Sequence, residues 1–158
     1  VVSPEALGAL FVEEPVEMPR GNFFLNNLGL NDNHCKVMAQ ELVRVDVFLR
    51  PIKMLDLTGN PSIGQLGYEA LLGLLNRRFD IGAVAVNDQS WESTFNLVIL
   101  MNVRYRRGHF LENGVFASKA MWVDFLAMLS NAHDLNRRGQ ILNAIWYTLR
   151  EDPDLICT

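Results

Sequence analysis

The feature that most constrains this chain is that part of it repeats itself. LDLTGNPSIGQLGYEALLGLL (55–75) can be laid over NFFLNNLGLNDNHCKVMAQEL (22–42) without a gap. Phe24 then falls on Leu57, Asn27 on Asn60, Leu30 on Ile63, Met38 on Leu71 and Leu42 on Leu75. A third copy begins at FDIGAVAVNDQSWESTFNLV (79–98), where Phe79, Ile81, Val84 and Val86 form one apolar ladder. Self-similarity at such a period marks a stack of small units, because one strand, bend and helix cannot bury its apolar side alone.

Each position in the second copy has a physical reason. Alternating Leu55 and Leu57 point inward from a short strand, and Asn60 can bond the backbone of a tight bend. Gly64 and Gly67 relieve crowding where the chain turns into a helix, whose covering face is Ala70, Leu71, Leu74 and Leu75. The other copies are degraded. Asn22 takes the first strand leucine position, Val84 ends the asparagine ladder, and His34 and Ser90 stand where Gly67 stands.

The pattern L-x-L-x-x-N-x-x-I-G-x-x-G-x-x-A-L-x-x-L-L resembles a leucine-rich repeat of the long ribonuclease-inhibitor-like subtype. That resemblance implies an α/β fold: a short, irregular solenoid with parallel strands on the concave face, helices on the convex face and a C-terminal helical cap. Three regions are expected: an N-terminal arm over 1–21, a leucine-rich-repeat-like region over 22–103, and a candidate fourth repeat with the helical cap over 104–158. Helices are predicted from about Phe116 to Leu129 and again after Asp134 or Asn136 as N-cap, the second with Ile141, Leu142, Ile145, Trp146 and Leu149 at helical spacing. Trp122 and Phe125 are read as core or cap.

The resemblance also implies where a partner sits, since the family recognises proteins through strand residues that point away from the core. Carried across by position, these are Phe23 and Leu25, Asp56 and Thr58, and Asp80 and Gly82. Two of them, Phe23 and Leu25, are apolar at positions expected to be open, which calls for a partner or the N-terminal arm to cover them.

Other chemistries leave weaker signals in the chain. A phosphate-binding loop needs G-x-x-x-x-G-K-[ST], and Gly59 to Gly64 has the glycine spacing but is followed by Gln65-Leu66. No cofactor is expected. His34, His109 and His133 are scattered, and His34 beside Cys35 is a poor chelate, so no metal is assigned. No nucleophile signature appears, and the reading is non-catalytic. The run Arg104-Tyr105-Arg106-Arg107 is the densest basic stretch. Arg104, Arg106 and Arg107 can hold an acidic strand or RNA phosphate with Tyr105 stacking, or can pair with nearby carboxylates on a solvated edge.

The expected function is therefore a protein-interaction scaffold or a subunit of a larger assembly. Two alternatives are an RNA-associated organelle complex subunit using the basic segment 104–107, and a regulator of a GTPase or an actin filament, the second being a role the resemblance implies. The 158 residues carry 14 Lys and Arg against 18 Asp and Glu, which does not favour a polyanion partner overall. Two cysteines outside any CxxC pair suggest an intracellular, reducing compartment. No stretch is long and apolar enough for a membrane span, and the initial Val fits a processed or excised chain.

Overall fold

A computed structural model of the chain describes residues 3, 6, 21–44, 51–106 and 118–151. Three short strands, β1 (Asn22–Phe24), β2 (Met54–Asp56) and β3 (Ala83–Ala85), form one parallel sheet in the order β1-β2-β3. Each is followed by a helix: α1 (Asp32–Arg44), α2 (Gln65–Leu75) and α3 (Gln89–Met101). A π-helical turn (Asn102–Arg106) leaves α3, and two further helices, α4 (Ser118–Asn131) and α5 (Leu135–Glu151), complete the described chain.

The expectation of a leucine-rich-repeat solenoid is overturned. The chain is mostly helical, with a sheet whose strands have three residues each against helices of 11 to 17. Alternation in the sequence lasts too few positions before Asn, Gly or Asp bends the backbone, whereas helical spacing persists for three turns or more. Nor does the basic stretch form an edge strand: Arg104 to Arg106 lie on the π-helical turn. The N-terminal arm falls outside the described residues apart from residues 3, 6 and 21.

Strand pairing corrects the register of the repeat. Phe23 pairs with Leu55 and Phe24 with Asp56, and the Leu25 amide donates to the Asp56 carbonyl at 2.8 Å. Gapless superposition puts Phe24 on Leu57, one residue out. Its helix matches are sound, since Met38, Leu71, Leu42 and Leu75 are all fully buried, so the second copy carries one extra residue between strand and helix. A one-residue shift in a strand exchanges its two faces. Leu25, Leu55, Leu57, Val84 and Val86 are buried on the helix side, while Phe24 points away and is 59% exposed.

Polar side chains join neighbouring units. Asn60, 1% exposed, accepts hydrogen bonds at Oδ1 from the Leu28 and Leu30 amides (3.0 and 2.9 Å) and donates from Nδ2 to the Leu25 and Leu57 carbonyls (2.9 and 2.8 Å). It bonds its own bend and the preceding one at once. Asn87 takes up the same task for the next bend, its Oδ1 accepting from the Gly59 amide at 2.8 Å. The asparagine series therefore does not end at Val84, which is a buried strand residue opposite Leu55.

The helix C-termini are tied in a comparable way. Buried Arg78 donates to the Leu42 carbonyl at the end of α1 (2.8 Å) and forms a two-point ion pair with Asp80 (3.0 and 2.8 Å). Asp80 in turn accepts from the Ile52 amide at 2.8 Å, fixing the approach to β2. Asn102, fully buried, donates to the Leu75 carbonyl at the end of α2 (2.6 Å). These bonds satisfy carbonyls that a helix end leaves without partners.

The two C-terminal helices extend the same core through Met121, Phe125, Ile141 and Ala144. Asp134 caps α5, its Oδ1 accepting from the Arg137 amide at 2.7 Å. The buried stripe of α5 is Ile141, Ala144, Tyr147 and Thr148, whereas Leu142 and Trp146 are 51% and 64% exposed, so the expected inward face is rotated. Tyr147 joins the ring cluster of Tyr68, Trp91 and Phe95, its ring tilted against that of Trp91 with centroids 5.3 Å apart. Its hydroxyl donates to Glu69 (3.2 Å), which also receives the Arg150 guanidinium (3.3 Å) and the Gln65 amide (3.0 Å).

Two outcomes follow from these contacts. Asn60→Ala leaves four backbone groups, three of them in buried hydrogen bonds, without their side-chain partner, and urea unfolding should show a loss of about 3 kcal/mol with an unchanged m-value. The hydrogen bonds to Glu69, from Gln65 foremost and then from Arg150 and Tyr147, hold its carboxyl below the ordinary 4.5. The stability this brings is present above about pH 4.5 and is lost as pH falls through the lowered value. Urea midpoints taken from pH 6 down to about pH 3 should therefore decline less steeply in Glu69→Gln than in the native chain.

Candidate interaction surface

Seen from the strands, the sheet has one face packed on helices and one that buries no residue. The open face carries two rows across the three strands: Asn22, Met54 and Ala83, then Phe24, Asp56 and Ala85. All are half-buried except the exposed Phe24. Neighbouring strands lie about 4.8 Å apart, so each row presents a strip about 10 Å wide. Short alanines on β3 and a protruding phenyl ring on β1 give it a stepped relief, with Asn22 and Asp56 as its polar members.

The predicted contact residues divide between this face and the interior. Asp56 lies on the face and Thr58 just beyond it, and the two are joined: Asp56 Oδ1 accepts from the Thr58 amide (3.0 Å) and from its hydroxyl (2.7 Å). Leu25 is buried at 6%, and Phe23 is half-buried against the core. The one-residue register shift explains both, and it nominates Phe24 instead. Asp80 precedes β3 and is held by Arg78 and the Ile52 amide, so it serves the fold. Gly82 also precedes the strand, where a Cβ would meet the Lys53 carbonyl at 2.8 Å.

Arg104 lies elsewhere. Its guanidinium pairs with Asp124 of α4 at 2.8 Å and sits over the Tyr105 ring at 5.5 Å, and the Tyr105 hydroxyl donates to the same carboxylate. The pairing with a nearby carboxylate is thus realised at this arginine. The Arg106 side chain and all of Arg107 fall outside the described residues. Arg138, placed early in α5 against the helix dipole, donates from Nε to the Ala132 carbonyl just after α4, at 2.8 Å.

The glycine loop has an anion, supplied by the chain itself. Gly64 caps α2 with no side chain to offer, and Asp32 of the preceding unit takes that role. Its Oδ1 accepts from the Gly64 and Gly67 amides at 2.6 and 3.0 Å, the positions where a helix start favours negative charge. Gly67 must lack a side chain, because a Cβ there would stand 2.7 Å from Asp32 Oδ1 and 2.9 Å from Ile63 Cγ2.

Cys35 is fully buried, and burial together with the nearby Asp32 pushes its thiol up to about 12. It is protonated at neutral pH, the reverse of what a nucleophile or metal ligand requires. Its neighbour His34 is buried with Nδ1 2.8 Å from Asn31 Oδ1. Among the described residues no three His, Cys, Asp or Glu side chains gather to hold a metal ion, and no helix is long and apolar enough to cross a membrane.

Sequence reasoning missed Arg78, Asn87 and Asn102. For Arg78 the signal available was the short NRRFD connection, where a cation sits two residues from an acid. Comparison with protein families, curated proteins and solved structures finds no match to this chain.

Replacing Asp32 by Ala should cost about 1–2 kcal/mol in thermal or urea unfolding, the range for losing a helix N-cap. The backbone amides of Gly64 and Gly67 should then exchange with solvent faster than in the native chain.

Proposed function

We propose that this chain is a non-catalytic protein-interaction module, a scaffold or subunit of a larger assembly, and that it engages its partner through the open face of the sheet. The observation that supports this reading most is Phe24, 59% exposed at the edge of a sheet face that buries no residue. A large ring held on a rigid strand loses little freedom on binding, which is what makes aromatic residues effective interface anchors. Next to it lie Asp56 and Thr58, whose mutual hydrogen bonds fix their orientation, and the low relief of Ala83 and Ala85 lets another backbone approach.

Site-specific crosslinking tests the placement. A photoreactive phenylalanine at position 24, in cells that express the chain, should yield one discrete adduct with another protein. The same group at Leu100, exposed on α3, should not. Phe24→Asp and Ala85→Arg should each weaken that complex by about tenfold or more while leaving the melting temperature within a few degrees. Equal adducts from both positions, or none from position 24, would remove the strand face from the proposal.

A further inference from the structure

Two surfaces lie outside the core. Between α1 and α2 an open groove of about 300 Å³ is lined by Ala39, Ala70 and Gly73, with the exposed Leu66 and Val43 beside them. Its apolar lining suits many occupants. The strand face is more selective, because it places one charge beside one exposed ring.

That charge is Asp56. Of the six residues in the two rows of the open face, Asn22, Met54, Ala83, Phe24, Asp56 and Ala85, it alone is ionic. Its carboxylate is only half used. Oδ1 accepts from the Thr58 amide at 3.0 Å and from the Thr58 hydroxyl at 2.7 Å, which holds the group in one orientation. Among the described residues Oδ2 has no hydrogen-bond or ion-pair partner.

The neighbours of Asp56 define what can reach that oxygen. Phe24 is its partner across β1 and β2 and is 59% exposed. Adjacent strands lie about 4.8 Å apart, so ring and carboxylate stand side by side on the same face. Across β2 and β3 the partner is Ala85, whose methyl group leaves the carboxylate open on that side. Met54, two residues back along β2, shares the face and is half-buried.

An aromatic face attracts a cation placed above it, and a carboxylate oxygen takes an N–H donor. A guanidinium meets both demands at once, because it is planar: it stacks on a ring while its edge donates to the acid. An ammonium is a compact, strongly hydrated charge and gains less from the ring. The methylenes that carry a guanidinium pack along apolar surface such as the Met54 side chain.

We propose that Phe24 and Asp56 form a subsite for an arginine side chain of the partner protein, its guanidinium stacked on Phe24 and paired with Asp56 Oδ2, its stem lying over Met54. The proposal rests on the strand-face reading above and names the chemistry of the residue that face receives.

Nuclear magnetic resonance of the full chain, with labelled phenylalanine rings and backbone amides, tests the subsite directly. The probe is N-acetyl-arginine methylamide, titrated into the millimolar range, against its citrulline and lysine counterparts. The arginine compound should shift the Phe24 ring and the Asp56 and Thr58 amides saturably. It should bind about tenfold tighter than citrulline, which keeps the shape without the charge, and about threefold tighter than lysine. Raising salt should weaken it. Asp56→Asn keeps an oxygen for Thr58 and should lower the affinity about tenfold, and Phe24→Leu about threefold, with melting temperatures within a few degrees of the native chain. In cells, Asp56→Asn should reduce the photo-adduct formed from position 24 several-fold. No saturable shift, equal binding of arginine and citrulline, or binding unchanged in Asp56→Asn overturns the arginine subsite. An adduct from position 24 that persists in full in Asp56→Asn also overturns it while leaving the strand face as the interface; absence of that adduct from the native sequence removes both.

Discussion

The structure depends on one buried side chain more than on any other, that of Asn60. It contacts two successive bends through four good hydrogen bonds, and it does so with 1% of its surface exposed. Strands of three residues contribute too few ladder bonds to define how one unit sits on the next. An amide can do so because it offers donors and an acceptor together, so it satisfies carbonyls of one strand end and amides of the following turn at once. Asn87 carries the device forward by one unit. Arg78 and Asn102 repeat it at the other end of the helices, each closing a carbonyl of the helix before it. The apolar core supplies the driving force, and these polar bridges select one stacking among the many a uniform core would accept.

That division explains what was legible in the sequence. Helix interiors were, because leucine, methionine and alanine recur at 3.6-residue spacing over three or more turns: Met38, Leu42, Leu71 and Leu75 are all in the core. Strand faces were not. With three residues per strand and a loop that differs by one residue between copies, no alternation is long enough to fix the register, so Phe24 and Leu25 exchange sides. In α5 the apolar residues surround much of the helix. Only the packing of Tyr147 onto Trp91 and Glu69 decides that Ile141 and Ala144 turn inward while Leu142 and Trp146 remain outside. The roles of Arg78 and Asp80 were hidden for a related reason: a charged pair in a turn reads as surface until its long-range partners, Leu42 and Ile52, are known.

The glycine loop shows how closely a structural device can imitate a functional one. Phosphate sites use exposed amides at a helix start, and α2 has such a start, with glycine at Gly64 and Gly67. What distinguishes the two is whether the anion arrives from outside. Here Asp32 occupies the amides from the neighbouring unit, and the missing Cβ of Gly67 makes room for that carboxylate. The same bonds stitch α1 to α2, so the loop contributes to the stacking that Asn60 sets a few residues earlier.

Stacking of this kind has a consequence for recognition. When units are joined edge to edge by polar bridges, both broad faces of the assembly are left with the residues that did not enter the core. On the strand side these are Phe24, Asp56 and the alanines of β3; on the helix side they are Leu66, Val43 and the small residues between them. The two surfaces differ in the way a partner must fit. A strand row three residues deep is rigid and nearly flat, and it favours a surface that can seat one protruding ring. A channel between two parallel helices is directional and carries the 3.6-residue period of its walls. The bridges that hold the units in place hold the two helices at a fixed separation as well, since the Asp32 carboxylate links the start of α1 to the start of α2. The spacing of α1 and α2 is therefore set by the same contacts that set the fold.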